Sequence, residues 1–344
     1  MKKKNIIAFA LVIVTTLVAS FSFYFWQVAK SPNLHVDGQK DFVLYIPKGS
    51  NYEGVVDSLR AHKMITDDIS FGFLSKFMKY RDNIKPGRYL IPPNSGNKEI
   101  LSKLRAGNQD AVKLTFNNVR LKEDLIEKIG TKLSFDGDDL LSLLNDEAVC
   151  EEYGFNKNTI MSMFLPDTYF IYWTLTPKEF MERMKYEYDK FWTEERLAKA
   201  NAINLTPVEV ATMASIVQSE TNKKDEMPRV AGVYVNRMRV GMPLQADPTV
   251  KFAVGDFSIK RVLKVHTQID SPYNTYRYGG LPPGPIALPE RVALDAVLGY
   301  EKHNYTYFCA REDFSGYHNF ATDLTGHMVN ARTYQAALNA RGIK

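Results

Sequence analysis

The stretch Thr206-Pro207-Val208-Glu209-Val210-Ala211-Thr212-Met213-Ala214-Ser215-Ile216-Val217-Gln218-Ser219-Glu220 decides how this chain is read. Threonine at the N-cap, proline at the first helical position and glutamate closing a capping box start a helix at Pro207. At about 100° per residue, Met213, Ile216 and Val217 fall within roughly 60° of Glu220, so its carboxyl group points where core-facing methyl groups point. Burial raises the pKa of a carboxyl group, and a glutamate that keeps its proton near neutral pH suits general acid catalysis. The same position is the end of a helix, where a charged side chain reaches back to water. Helical geometry alone leaves both readings of Glu220 open.

Downstream, a second helix is expected over Arg229 to Arg239, ended by Gly241, with Val230, Val233, Tyr234, Arg237 and Met238 on one side and Asn236 on its flank. Pro243 to Thr249, which includes Gln245 and Asp247, reads as an irregular polar turn in which Asp-Pro fixes the backbone. Tyr273-Asn274-Thr275-Tyr276 and then Gly279 to Ile286 form a rigid loop rich in proline and glycine, expected to present tyrosine and asparagine side chains outward. Aromatic faces beside amides and hydroxyls suit a carbohydrate, while aromatic loops also serve as plugs for a core. The candidate sugar contacts are Asn236, Gln245, Asp247, Tyr273, Asn274, Tyr276 and, on an expected hairpin of Tyr305 to Ala310 with Tyr317 to Phe320, Phe320. A closing helix is expected from about Met328 to Asn339. His318 and His327 lack metal-ligand spacing, so neither a metal nor a cofactor is expected. No nucleophile elbow or phosphate loop has the strand-turn-helix context that it needs.

The first thirty residues set the compartment. Lys2, Lys3 and Lys4 precede Asn5 to Trp26, a span of about 20 uncharged residues that is long enough to cross a bilayer. It ends in Phe21-Ser22-Phe23-Tyr24-Phe25-Trp26, an aromatic cluster suited to a membrane-water boundary, and favours an uncleaved anchor over a signal peptide. The lysines place the N-terminus in the cytoplasm and everything after Lys30 on the outer side of the inner (plasma) membrane. Net charge is +5, partly from those lysines, and an exported, mildly basic chain is not expected to bind nucleic acid. Cys150 and Cys309 carry no metal spacing and read as buried free thiols rather than a required pair.

At 344 residues, with 45% hydrophobic and 12% aromatic content, the chain is long enough for two or three folded domains. An α+β fold is expected. After residues 1–30, the region 31–110 comprises a polar stalk (Ser31 to Asp41) and a small β-α-α-β-α module: strands Phe42 to Ile46 and Gly87 to Ile91, helices Tyr52 to Met64, Ile69 to Met78 and Asn97 to Arg105, with Gly107 as the stop. A connecting region, 111–205, contains a strand at Val112 to Phe116, helices near Lys122 to Lys132 and Asp138 to Leu144, a turn at Phe164 to Tyr169 and one long amphipathic segment, Pro177 to Ala202. Residues 206–344 form the expected catalytic domain.

Ala214-Ser215-Ile216-Val217-Gln218-Ser219-Glu220-Thr221, Val235-Asn236-Arg237-Met238, Leu244 to Thr249, Tyr273 to Tyr276, Gly280 to Ile286 and Phe164 to Tyr169 occur in an order that resembles the MltG (YceG-like) endolytic murein transglycosylases. The resemblance covers essentially the whole chain. It implies that Glu220 is the catalytic residue, the second of two acidic positions in an A-S-I-V-E-x-E-[TA] pattern. Gln218 occupies the first, roughly 160° around the helix from Glu220. It implies a LysM-like module with affinity for glycan strands, and partners in wall synthesis. It also implies the reaction: Glu220 protonates the bond between N-acetylmuramic acid and N-acetylglucosamine, and the sugar's own C6 hydroxyl closes a 1,6-anhydro end, so one carboxyl group serves twice. A lysozyme-type hydrolase with Asp247 as second carboxylate, and a non-catalytic glycan-binding scaffold, are the competing expectations. Asp247 is read as structural or substrate-orienting, with its carboxylate capping backbone amides.

Overall fold

The structure is a computed structural model that describes residues 3–35 and 40–342. Lys2 of the basic cluster and residues 36–39 of the expected stalk lie outside the described residues. The chain divides into two compact units.

The first unit begins with α1 (Lys3–Lys30), exposed along most of its length and the one described helix long and apolar enough to cross a membrane. There follow β1 (Pro32–Leu34), β2 (Phe42–Ile46), α2 (Tyr52–Ala61), α3 (Asp68–Phe77), β3 (Gly87–Ile91), β4 (Ser95–Gly96) and α4 (Asn97–Ala106). Asn51 and Asp67 cap α2 and α3 through their side chains, and Gly107, at φ 73, ends α4 in the left-handed region, where glycine carries no Cβ penalty. Strands β2 and β3 pair antiparallel from Phe42 opposite Ile91 to Ile46 opposite Gly87. Alternation sends Leu44, Ile46, Tyr89 and Ile91 into a core shared with Val55, Leu59, Phe71, Leu74, Ile100 and Leu104.

The stalk expectation needs correction at its start. Residues Pro32–Leu34 are a strand, and Leu34 is buried. Buried Asn33 donates to Asn97 Oδ1 at 2.8 Å and accepts from the Asp67 amide at 2.6 Å, while Asn97 donates to the Val28 carbonyl at 3.0 Å. These bonds satisfy amides that would otherwise be costly inside a core. They also tie the last turn of α1, with buried Val28 and Ala29, directly to the module.

Strands β5 (Val112–Phe116) and β6 (Asp167–Ile171) pair with each other, and each runs from one unit into the other. The turn expected at Phe164 to Tyr169 therefore gives way to a strand from Asp167, since a sheet partner supplies the ladder bonds a turn would lack.

The second unit contains α5 (Lys122–Ile129), α6 (Gly137–Leu144), α7 (Glu147–Glu152), α8 (Pro177–Phe191), α9 (Glu194–Ala202), α10 (Pro207–Glu220), α11 (Met227–Arg239), α12 (Asp247–Val254), α13 (Arg291–Leu298), the hairpin β7 (Tyr307–Ala310) with β8 (His318–Ala321), and α14 (Leu324–Ala340). The single amphipathic segment expected over Pro177 to Ala202 is two helices. Thr193 is an N-cap whose side chain accepts from the Arg196 amide, so a new helix starts there.

Helix α10 has the expected capping box at Thr206 and Glu209, but it is buried on every side rather than along one stripe: Val210 to Val217 are all buried. Neighbours α9, α11, α12 and α13 surround it. Each fully buried valine, isoleucine or methionine contributes about 1.5–3 kcal/mol. The hydroxyls of Thr212 and Ser215 donate to carbonyls of their own helix and so cross this core without orphaned polar atoms.

Candidate active site

Glu220 is the last residue of α10, and the chain leaves it extended at Thr221. The residue as a whole is half-buried, because a helix end has a free side, but its carboxyl group is enclosed. Tyr234, 1% exposed on α11, donates its hydroxyl to Glu220 Oε1 at 2.8 Å. Burial pushes the Glu220 pKa up to about 7; the Tyr234 bond opposes the rise, the Asp247 charge adds to it, and Lys251 and Arg237 oppose it. A carboxyl group raised toward neutral pH can both give and take a proton there.

Asp247 opens α12, so the irregular turn expected over Pro243 to Thr249 is helical from Asp247 onward. Its carboxylate is exposed and accepts from the Tyr276 hydroxyl at 2.6 Å; no side chain caps the start of α12. Burial first, and then this bond, raises the Tyr276 pKa. Thr275 joins the two segments, its hydroxyl accepting from the Ala246 amide at 2.9 Å and meeting the Thr249 hydroxyl at 2.8 Å. Glu220, Asp247 and Tyr276 are thus held in one electrostatic group.

The other expected contacts take different places. Asn274 is wholly buried and turned inward, where its amide donates to the Thr267 and Ile269 carbonyls; the expected outward presentation does not hold for it, since it satisfies the loop's own backbone. Tyr273 is half-buried and lies against Phe252 at 4.7 Å between rings. Gln245 is exposed at φ 47, its amide donating to the Thr275 carbonyl. Asn236 is buried, donating to the His303 and Tyr305 carbonyls at 2.8 and 2.9 Å, and Phe320 packs on the Tyr305 and Phe308 rings. Gln218 is turned toward α13 and accepts from the Glu290 amide at 2.7 Å.

Sequence reasoning missed the supports of the site. Tyr234 stands edge-on to Phe308, which stands edge-on to His318. Buried Glu226 accepts from both the amide and Nδ1 of His318 at 2.8 Å and from the Thr221 hydroxyl at 3.1 Å, fixing the chain just after Glu220. Arg237 clamps the Thr306 and Leu244 carbonyls at 2.6 and 2.7 Å. The signal for Tyr234 was available: a phenol on the apolar face of α11 needs a buried acceptor, by the argument already applied to Glu220.

A cavity of about 960 Å³ is lined, among others, by Gln218, Ser219, Asn222, Pro248 and Lys251, which flank Glu220 and Asp247 in the chain. Among the described residues no group of three or more His, Cys, Asp or Glu side chains could hold a metal ion. Cys150 and Cys309 are free thiols, the first buried and the second half-buried, and burial raises both pKa values.

Such an arrangement defines an α+β protein in which an enclosed carboxyl group with a raised pKa ends a central helix. The YceG-like family model matches residues 44–333, and the chain belongs to that family. It is 26% identical over 320 residues to a Bacillus subtilis protein named endolytic murein transglycosylase, covering 89% of this chain and 88% of that one. A Streptococcus pneumoniae D39 protein of the same name is 25% identical over 326 residues, covering 86% of this chain; the chain spans 59% of that relative's length. The crystal structure of a putative YceG-like protein from Listeria monocytogenes superposes with a TM-score of 0.55 at 25% identity, over 85% of this chain and 99% of that one.

Proposed function

We propose that this chain is a membrane-anchored endolytic murein transglycosylase that cuts nascent glycan strands and ends their elongation. The observation that carries the reading is the enclosed Glu220 carboxyl group, raised to about 7 and held by Tyr234. Relatives along most of the chain carry that name. Glu220 gives its proton to the glycosidic oxygen between N-acetylmuramic acid and N-acetylglucosamine as the C1–O bond breaks. The muramic C6 hydroxyl bonds to C1 and passes its proton to the Glu220 carboxylate. A 1,6-anhydro end results, no water is consumed, and Glu220 is again protonated. Tyr276 and Asp247 orient the sugar, and the neighbouring cavity receives the strand.

In this reading α1 is a single pass of the inner (plasma) membrane with its N-terminus cytoplasmic, the module around β2 and β3 is LysM-like and holds glycan, and wall-synthesis proteins are the partners. Mass spectrometry of digested murein tests the chemistry. Anhydro ends are expected, and Glu220→Gln should lower their formation by about 10²–10⁴-fold. Reducing ends would instead favour a hydrolase with Asp247 as second carboxylate, a reading to which the action of the Asp247 charge on Glu220 lends support.

A further inference from the structure

Helix α3 carries Ile69, Phe73 and Phe77 at four-residue spacing, so the three share a face. That face is exposed, at 80%, 45% and 64%. The core is served by another side of the helix, through Phe71 and Leu74. Large apolar residues grouped on a surface mark an interaction site. The stripe meets the end of α1: Phe77 stands edge-on to Phe25 with ring centres 5.3 Å apart, and Phe73 stacks on Phe77. Phe25 lies about 7.5 Å along the helix axis before Lys30, within the aromatic cluster that a spanning helix places at the bilayer boundary. An apolar groove of about 290 Å³ opens at this junction, walled by Phe25, Trp26, Leu74 and Phe77, with Lys30 and Lys98 in its lining.

We infer that the exposed face of α3 is a second membrane contact, seated in the lipid interface beside α1, with the groove receiving an acyl chain and Lys30 and Lys98 meeting lipid phosphates. Continuity with the anchor names the occupant: the same lipid that surrounds Trp26 reaches Phe77. A monotopic helix of this kind binds by apolar burial together with charge attraction to anionic headgroups. The inference rests on the reading of α1 as an anchor, and the test separates the two.

The full chain, with Cys150→Ala and Cys309→Ala, is given a single fluorophore at Val14→Cys, Phe73→Cys or Glu53→Cys and reconstituted in vesicles of phosphatidylcholine and phosphatidylglycerol. Lipid with brominated acyl chains should quench the probes at 14 and 73 several-fold and leave that at 53, on exposed α2, unchanged; aqueous iodide should do the reverse. A probe at 73 that behaves like that at 53 overturns the inference while the anchor reading stands. Shielding of 73 from iodide without quenching by bromine also overturns it and points to a second copy on this face. A probe at 14 untouched by bromine overturns both readings.

Discussion

Removing the Tyr234 hydroxyl and removing the Asp247 charge should move Glu220 in opposite directions. The Tyr234 bond favours the ionised carboxylate, so Tyr234→Phe raises the Glu220 pKa and shifts the alkaline limb of the activity profile to higher pH. Asp247 disfavours the ionised form, so Asp247→Asn lowers that pKa and shifts the limb to lower pH. Activity against pH for the two variants checks both signs. Asp247→Asn should also cost less activity than Glu220→Gln, because Asp247 acts through charge and through Tyr276 rather than by giving the proton; equal abolition in a folded variant would assign it a direct part. That the Glu220 carboxyl group turns toward the core at the end of α10 was one of two readings open from the sequence, because the residue broke an apolar pattern at a helix end. The bonds around it were not legible there, because those from Tyr276 to Asp247, from Arg237 to Thr306 and from His318 to Glu226 span 29, 69 and 92 residues, separations that no local pattern encodes.

Among the elements, α11 offers a test against propensity. Replacing glycine by alanine inside a helix ordinarily gains about 1 kcal/mol. A Cβ at Gly232 would meet the Glu301 carbonyl oxygen and come within 2.6 Å of His303 Nε2. Those atoms belong to the segment that Asn236 holds by the His303 and Tyr305 carbonyls, so it cannot simply retreat. Gly232→Ala should therefore lower Tm, with overpacking of about 1–3 kcal/mol exceeding the propensity gain; an unchanged or higher Tm in thermal unfolding would show the segment to be free to shift. Elements with strong local signals were read correctly: the capping box of α10, the strands β2 and β3, and the glycine stop of α4. Elements settled by tertiary contacts were not. Helix α13 is only eight residues long and packs on α10, and α12 starts within a motif that looks like a turn. The α10 stripe was read as one face because its wheel was judged alone, whereas neighbouring helices bury every residue from Val210 to Val217.

For the molecule as a whole, the junction after α1 sets where the chain can be cut. A fragment starting at Ser31 lacks Val28 and Ala29 from the module's core and leaves the Asn97 amide without the Val28 carbonyl. One starting at Gln27 retains all three. The shorter fragment should lose about 2 kcal/mol from the module, and its first unfolding transition should fall by several degrees. Equal melting of the two would show these contacts to be dispensable. The same junction leaves no pivot: between the last turn of α1 and β1 a single residue, Ser31, intervenes, and its amide is bonded back to the Gln27 carbonyl at 2.9 Å. In the membrane-anchored reading, helix and module tilt as one lever. A bilayer too thin for the apolar span of α1 would incline the helix, and the β2–β3 module would swing through the same angle, so that membrane thickness is translated into the direction in which the module faces.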